Sequence, residues 1–348
     1  MINKKLIDWS LNSYSDLPWR SENRSLYTTL VSEIMLQQTT VTTVMKKYDA
    51  FLKQYPTIFD LAESSEKEVC KAWEGLGYYR RARNLRKAAI DITENYNGKF
   101  PTDVNELIKI PGIGDYTANA LIAIGRDQKA LAIDANIERV IARFYLIKET
   151  KGPNLHKEIK KRFLENSILK NGKKYGYRQY HEALMDLGRI FCQAKKAHCH
   201  ICPVASKCLV YQSMESPLSI PVVKEKDKAK DKHELSLLRV FVKNRYGLLA
   251  YERKEGHWLS GQLEVPTFII STTDNDLKQY PVVKDKIDLK KLSSVKTAIT
   301  KYKITNYKIE MSKKDFDNFL KRNKHTDLCH YVDETKVHLS SACLKMIG

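Results

Sequence analysis

Apolar residues recur at three- and four-residue steps along most of the chain up to residue 191. Leu26, Leu30, Ile34, Val41, Val44, Tyr48 and Phe51 follow that period, which predicts one or two helices over 25–54. Residues 1–24 read as a short leader with a Leu-Pro-Trp-Arg turn at 17–20. Helical patterns continue over 57–97, interrupted by the Gly- and Tyr-containing loop at 73–79. At 107–121 an apolar turn carrying Leu107 and Ile110 is broken by Pro111 and Gly112. Gly114 is expected to allow a second tight bend, and a new helix starts at Asp115. Asp134 precedes Ile137, Val140, Ile141 and Phe144, so it reads as the N-cap of another helix. Further helices are expected over 155–191.

Beyond residue 234 the period changes. Segments 234–242, 247–252, 263–270 and 300–311 carry β-branched and aromatic residues with partial alternation, and Ser312 to Arg322 reads as a helix. The join at 217–234 contains Pro217 and Pro221 and then VVKEKDKAKDKHE, which is nearly devoid of apolar residues and predicts a charged linker. The fold class is therefore a mainly helical N-terminal part followed by an α+β domain at 235–348. No internal repeat is visible.

Composition narrows the partners. The chain has 348 residues, room for two or three domains, and 60 Lys and Arg face 41 acidic residues for a net charge of +19. Such a balance favours a polyanion: nucleic acid, acidic lipid or an acidic protein. No apolar run approaches the ~20 residues of a membrane span, and the first residues lack the apolar core of a signal peptide. A cytoplasmic protein without a membrane partner is expected. Seven cysteines in a reducing compartment argue against disulfides. Cys192, Cys199, Cys202 and Cys208 lie within 17 residues with spacing Cys-x6-Cys-x2-Cys-x5-Cys. By ligand count they suit zinc or an iron–sulfur centre, and spacing alone does not choose. His198 and His200 read as bystanders.

Three other features carry possible chemistry. Glu33 is a lone carboxylate among Ile34, Met35 and Leu36, either a solvated helix-face residue or a buried acid. The Gly112–Gly114 hairpin exposes N–H groups at a helix start, a phosphate site if it is more than an ordinary turn. Tyr78 and Tyr79 precede Arg80, Arg81, Arg83 and Arg86, a grouping that suits stacking on bases and contact with phosphates.

Together, LPWR (17–20), SEIMLQQTT (32–40), WEGLGYYRRARNL (73–85), IPGIGDYTANA (110–120), IDANIERV (133–140), EALMDLG (182–188) and the cysteine loop resemble the helix-hairpin-helix DNA glycosylase superfamily. Within it the chain resembles the iron–sulfur-containing MutY-type adenine DNA glycosylases. The resemblance implies a catalytic region at 1–216, with a helical barrel at 25–130 and an iron–sulfur subdomain at 1–24 and 131–216. It implies a [4Fe-4S] cluster on the four cysteines and a monovalent cation at the hairpin. Its partner would be double-stranded DNA with a mispaired or oxidised base, bound by a monomer at the bacterial nucleoid.

In that family the residue matching Glu33 protonates adenine and the one matching Asp134 stabilises the cationic sugar. Tyr116 stands where strand-cutting relatives carry a Schiff-base lysine, which implies a monofunctional enzyme. Arg20 and Glu182 match positions near the flipped adenine, and Gln37, Gln38, Tyr78 and Tyr79 match residues that wedge into the duplex. The C-terminal region resembles the family's Nudix-like lesion-reading domain, with Leu263 and Val265 replacing aromatics of the family's pattern. Ile299-Thr300-Lys301 stands at its lesion-reading loop, with Thr300 as the hydrogen-bonding candidate. No hydrolase-type Nudix box is present. Two other readings are a mismatch thymine or uracil glycosylase and a non-catalytic iron–sulfur DNA-binding protein.

Overall fold

The helix Leu26–Leu36 is apolar on nearly every face, and all its residues from Thr29 to Met35 are buried. Its start is held by a capping box between Ser25 and Thr28. The surrounding elements are described in a computed structural model covering residues 4–165, 172–223, 233–254, 256–299, 301–325, 327–334, 337 and 339–347. The chain divides into two compact units, Met1–Lys224 and Glu225–Gly348.

The first unit holds two apolar cores. Around Leu26–Leu36 pack the helices Tyr48–Gln54, Ile58–Glu63, Arg80–Tyr96 and Val104–Lys109, with Trp73, Leu85, Ile92 and Leu121 fully enclosed. A second core joins Ile137, Val140 and Ile141 of Ala135–Phe144 to Leu184 and Leu187 of Tyr177–Ile190. The expected leader is instead the helix Lys4–Tyr14, which buries Leu6, Ile7 and Ser10 in this second core. Its apolar stripe is too narrow to announce a helix from so short a stretch. The 25–54 region forms three helices rather than one or two, Val41–Met45 being the added one. The break falls at Gln38, in the left-handed region at φ 54°, before Thr40 caps the next turn.

At the hairpin, Asp103 caps Val104–Lys109, and Asp115–Ala120 runs on into a π-type turn at Leu121–Gly125. Only one of its two glycines is sterically required. Gly112 adopts φ +86°, and a Cβ there would lie 2.8 Å from Asn84 Cβ and 2.9 Å from the Asn84 carbonyl oxygen. Gly114, expected to permit a second tight bend, is extended at φ −93°, and a Cβ on it would meet nothing within 4 Å.

The second unit is α+β. Its strands are β1 His233–Phe241, β2 Lys243–Asn244, β3 Gly247–Glu252, β4 Leu263–Glu264, β5 Thr267–Thr272, β6 Ser293–Ile299, β7 Tyr302–Glu310 and β8 His330–Val332. One sheet has the order β5-β1-β7-β6, with β1 and β7 parallel and the other pairs antiparallel. In the second sheet β3 pairs with β2, β4 and β8. Helix Lys313–Arg322 buries Phe316 and Phe319, the latter edge-on to Phe268 at 5.1 Å. Ahead of the expected strand at 300–311, where the sequence predicts no element, Ser293–Ile299 forms strand β6, paired to β7 along its length from Ser293↔Lys308 to Ile299↔Tyr302. Its alternating exposed positions left little apolar signal.

Candidate active site

Helix Leu26–Leu36 buries Glu33, which is 6% exposed. Burial pushes its carboxyl from the usual carboxylate range up to about 7, with Asp134 and Glu182 adding like-charge repulsion. Two effects oppose this: a hydrogen bond from Tyr116 Oη to Glu33 Oε2 at 2.6 Å, and the Arg24 charge. Tyr116 comes from the helix after the hairpin. Burial and the neighbouring carboxylates raise its hydroxyl well above the usual phenol range, so it stays protonated and donates.

Asp134 caps Ala135–Phe144, as its position in the sequence suggests. Oδ1 accepts from the N–H groups of Asn136 (3.0 Å) and Ile137 (2.7 Å), and Oδ2 accepts from Asn136 Nδ2 (2.8 Å). The cap locks the carboxylate's direction, and capping is compatible with a catalytic role. The approach to it is held by His181, which is fully buried. Its Nδ1 donates to the Tyr177 carbonyl at 2.7 Å, and its Nε2 accepts from the Ala132 N–H at 3.3 Å. Burial lowers its pKa to about 4, so it is a neutral spacer at physiological pH.

A buried charge network adjoins this pair. Arg20 Nη1 donates to Asp186 Oδ2 at 2.8 Å, and its Nε lies 3.8 Å from Glu182 Oε1. Arg24 Nη1 donates to the same Glu182 oxygen, and Ser10 Oγ donates to Asp186 at 2.6 Å. The structure thus joins Arg20 and Glu182 to the Glu33 site. It adds Arg24, Asp186 and Ser10, which carry no local sequence signal and meet only through the fold.

The residues read as a duplex wedge separate into two kinds. Gln38 and Tyr78 are exposed tips, both in the left-handed region at φ 54° and 48°. Gln37 is half-buried and its Nε2 donates to Thr117 Oγ1 at 3.4 Å, while Tyr79 packs against the first core. In the second unit Ile299 ends β6, and exposed Lys301 reaches Asp274 at 3.4 Å. Thr300 lies outside the described residues.

The four cysteines are free and line one pocket together with Phe144 and Val204. Arg143 Nη1 donates to Cys192 Sγ at 3.4 Å, and the Cys208 thiol points at the Arg143 carbonyl at 3.6 Å. Burial pushes Cys202 up to about 12, so a metal bound there displaces a proton. Four soft donors around one pocket fit a thiolate-held metal centre. Among the described residues no three His, Cys, Asp or Glu side chains converge as a single-ion site would require. Arg139 links this loop to Asp134: it donates to the carbonyls of Cys192 (2.6 Å) and Gly188 (2.8 Å) and to Asn136 Oδ1 (2.8 Å).

Known proteins resemble the helical unit that carries these residues. Residues 31–166 match the HhH-GPD superfamily of base excision DNA repair proteins. The adenine DNA glycosylase of Buchnera aphidicola subsp. Baizongia pistaciae is 38% identical over 195 residues, 56% of this chain and 54% of that protein. The adenine DNA glycosylase of Buchnera aphidicola subsp. Schizaphis graminum is 32% identical over 232 residues, 65% of this chain and 64% of that protein. The chain therefore spans less than two thirds of the length of these curated relatives. A solved thermostable thymine-DNA glycosylase superposes with a TM-score of 0.51 at 28% identity, covering 60% of this chain and 94% of that one. The match thus falls on residues 31–166, and through this part of its helical unit the chain is similar to the HhH-GPD superfamily of base excision DNA repair proteins.

Proposed function

We propose that the protein is a monofunctional DNA glycosylase that hydrolyses the N-glycosidic bond of adenine mispaired with 8-oxoguanine or guanine in double-stranded DNA. The observation that carries this reading is the buried Glu33 carboxyl, raised to about 7 and held by the Tyr116 hydroxyl. A glycosylase must take its base out of the stack, and a base in the pocket meets Glu33. As the bond to the sugar breaks, electron density moves onto the base and positive charge builds on the sugar. Glu33 delivers a proton to the departing adenine, and the fixed Asp134 carboxylate offsets the sugar charge. Water then completes the substitution at the sugar carbon. Tyr116 offers no amine for a Schiff base, which supports base release without strand cleavage.

Arg20, Arg24 and Glu182 supply donors and an acceptor beside the acid, a suitable frame for the edge of a purine. The hairpin amides at Gly112 and Gly114, a cation held there, and Lys195, Lys196 and Lys207 on the cysteine loop suit the phosphate backbone. Cys192, Cys199, Cys202 and Cys208 would hold a [4Fe-4S] cluster, and their lining of one pocket supports a thiolate-held centre. When bound, the cluster supplies four iron–thiolate crosslinks to the loop. The second unit is read as a Nudix-like lesion-binding domain, contacting modified guanine through residues 299–301.

The test is release of free base from duplexes with adenine opposite 8-oxoguanine, adenine opposite guanine and thymine opposite guanine. Adenine release that disappears in Glu33→Gln is expected, with no borohydride-trapped adduct. The solved thymine-DNA glycosylase favours one competitor. Thymine release without adenine release would establish that competitor, and release from no mispair would leave a non-catalytic DNA-binding protein. An ultraviolet–visible spectrum separates iron–sulfur from zinc.

A further inference from the structure

Arg81 belongs to the first turn of helix Arg80–Tyr96, and its guanidinium is buried between two separate turns. Nη1 donates to the carbonyls of Ile34 (2.8 Å) and Met35 (2.9 Å), the open end of helix Leu26–Leu36. Nη2 donates to Thr39 Oγ1 (2.9 Å) and to the carbonyls of Leu76 (2.9 Å) and Gly77 (3.0 Å). The group lies 5.4 Å from the Trp73 ring centre and 5.7 Å from that of Tyr78. Its hydrogen-bond partners are thus four carbonyls and a hydroxyl, with no carboxylate among them.

The two turns so joined end in the exposed tips Gln38 and Tyr78. Both are non-glycine residues at positive φ, a conformation that persists only where the surroundings over-determine it. Arg81 supplies that determination. It holds the Ile34 and Met35 carbonyls in the helical turn that leads to Gln38, the Thr39 hydroxyl just after it, and the carbonyls just before Tyr78. One planar fork therefore sets the position of each tip relative to the other. Lysine, with all its donors on one atom, cannot span both turns.

We propose that Arg81 is a positioning residue that preorganises Gln38 and Tyr78 as a two-pronged wedge, so that the duplex meets both prongs already placed for base extrusion. This inference rests on the reading of the site as a base-flipping glycosylase. It assigns Arg81 a part in the flipping step, separate from proton transfer at Glu33.

The experiment uses the full chain, as wild type, Arg81→Lys and Thr39→Val, the last deleting one acceptor at constant bulk. Flipping is followed by stopped-flow fluorescence of 2-aminopurine placed opposite 8-oxoguanine. Base release from adenine opposite 8-oxoguanine is followed in single turnovers, with amplitude reporting the active fraction. Arg81→Lys is expected to slow the fluorescence rise and the single-turnover rate by about tenfold, with the alkaline limb of the pH profile unmoved. Thr39→Val is expected to slow both by about threefold. A variant that loses amplitude but keeps the wild-type rate shows a mere brace and overturns the proposal. If Arg81→Lys does not fold, an unslowed Thr39→Val overturns it equally. A wild-type protein that flips the probe but releases no base from any mispair refutes the proposed activity, while the fluorescence comparison still decides the role of Arg81.

Discussion

Each unit of the molecule buries a glutamate, and the two are treated in opposite ways. Glu264 in the second unit is fully enclosed and is the acceptor of a complete network. Arg239 Nη1 reaches Oε1 at 2.8 Å, Ser340 donates to the same atom at 3.1 Å, Tyr280 donates to Oε2 at 2.8 Å, and Arg253 lies 3.6 Å away. Glu33 is nearly as buried, yet among the described residues its side chain is hydrogen-bonded by the neutral Tyr116 hydroxyl, and two other carboxylates press on it. Burial alone therefore does not make an acid. Burial without a directly bonded guanidinium raises a carboxyl toward neutral pH, whereas burial between guanidiniums makes it a structural tie.

The largest expected effect tests the catalytic half of this contrast. Glu33→Gln should lower base release by about 10²–10⁴-fold in single-turnover assays, and a change below threefold would break the assignment. Next, Arg239→Met should strip Glu264 of its main partner and cost about 3–5 kcal/mol in the unfolding of the second unit, read by denaturant titration. An unchanged midpoint would show that Arg253 suffices.

The pH response is next. Folding raises the Glu33 pKa, so the folded state holds the proton more tightly and suffers a penalty once it ionises. That penalty is absent below about pH 4.5, grows as pH rises, and reaches about 3 kcal/mol above pH 7. Glu33→Gln should therefore be more stable than wild type at pH 8 and gain nothing at pH 4. Over the same range the wild-type rate should fall about tenfold per pH unit above about 7. The smallest effect is expected for Tyr116→Phe. Deleting the hydrogen bond that lowers the Glu33 pKa should move the alkaline limb to higher pH, with a rate loss of about tenfold or less.

Much of this was legible in the chain. The helical period located Leu26–Leu36 and Arg80–Tyr96, the Pro111–Gly112 break located the hairpin, and the spacing of Cys192, Cys199, Cys202 and Cys208 marked a candidate metal centre. Glu33 and Asp134 could be singled out because each stands at a definite place in a local pattern. Arg24, Asp186 and His181 could not, and Arg81, grouped with its neighbours as a phosphate contact, is instead buried on backbone carbonyls. Their roles come from partners such as Glu182, Arg20, Ala132 and Ile34, which lie 46 to 166 residues away in the case of the bonds Arg24–Glu182, Arg20–Asp186, His181–Ala132 and Arg81 to Ile34 and Met35. Helix Lys4–Tyr14 and strand β6 were missed because each shows its apolar side only against a neighbour.

By itself, the sequence determined what depends on neighbours along the chain: helix and strand periods, the Asp134 cap, the Pro111–Gly112 break, and the clustering of four thiols. Tertiary structure alone decided which carboxylate would be an acid. Protonation depends on the dielectric and the charges within a few ångströms, and those come from segments brought together only by packing. The same physics separates Glu33 from Glu264, two buried residues of one type whose chemistry differs because different side chains close around them.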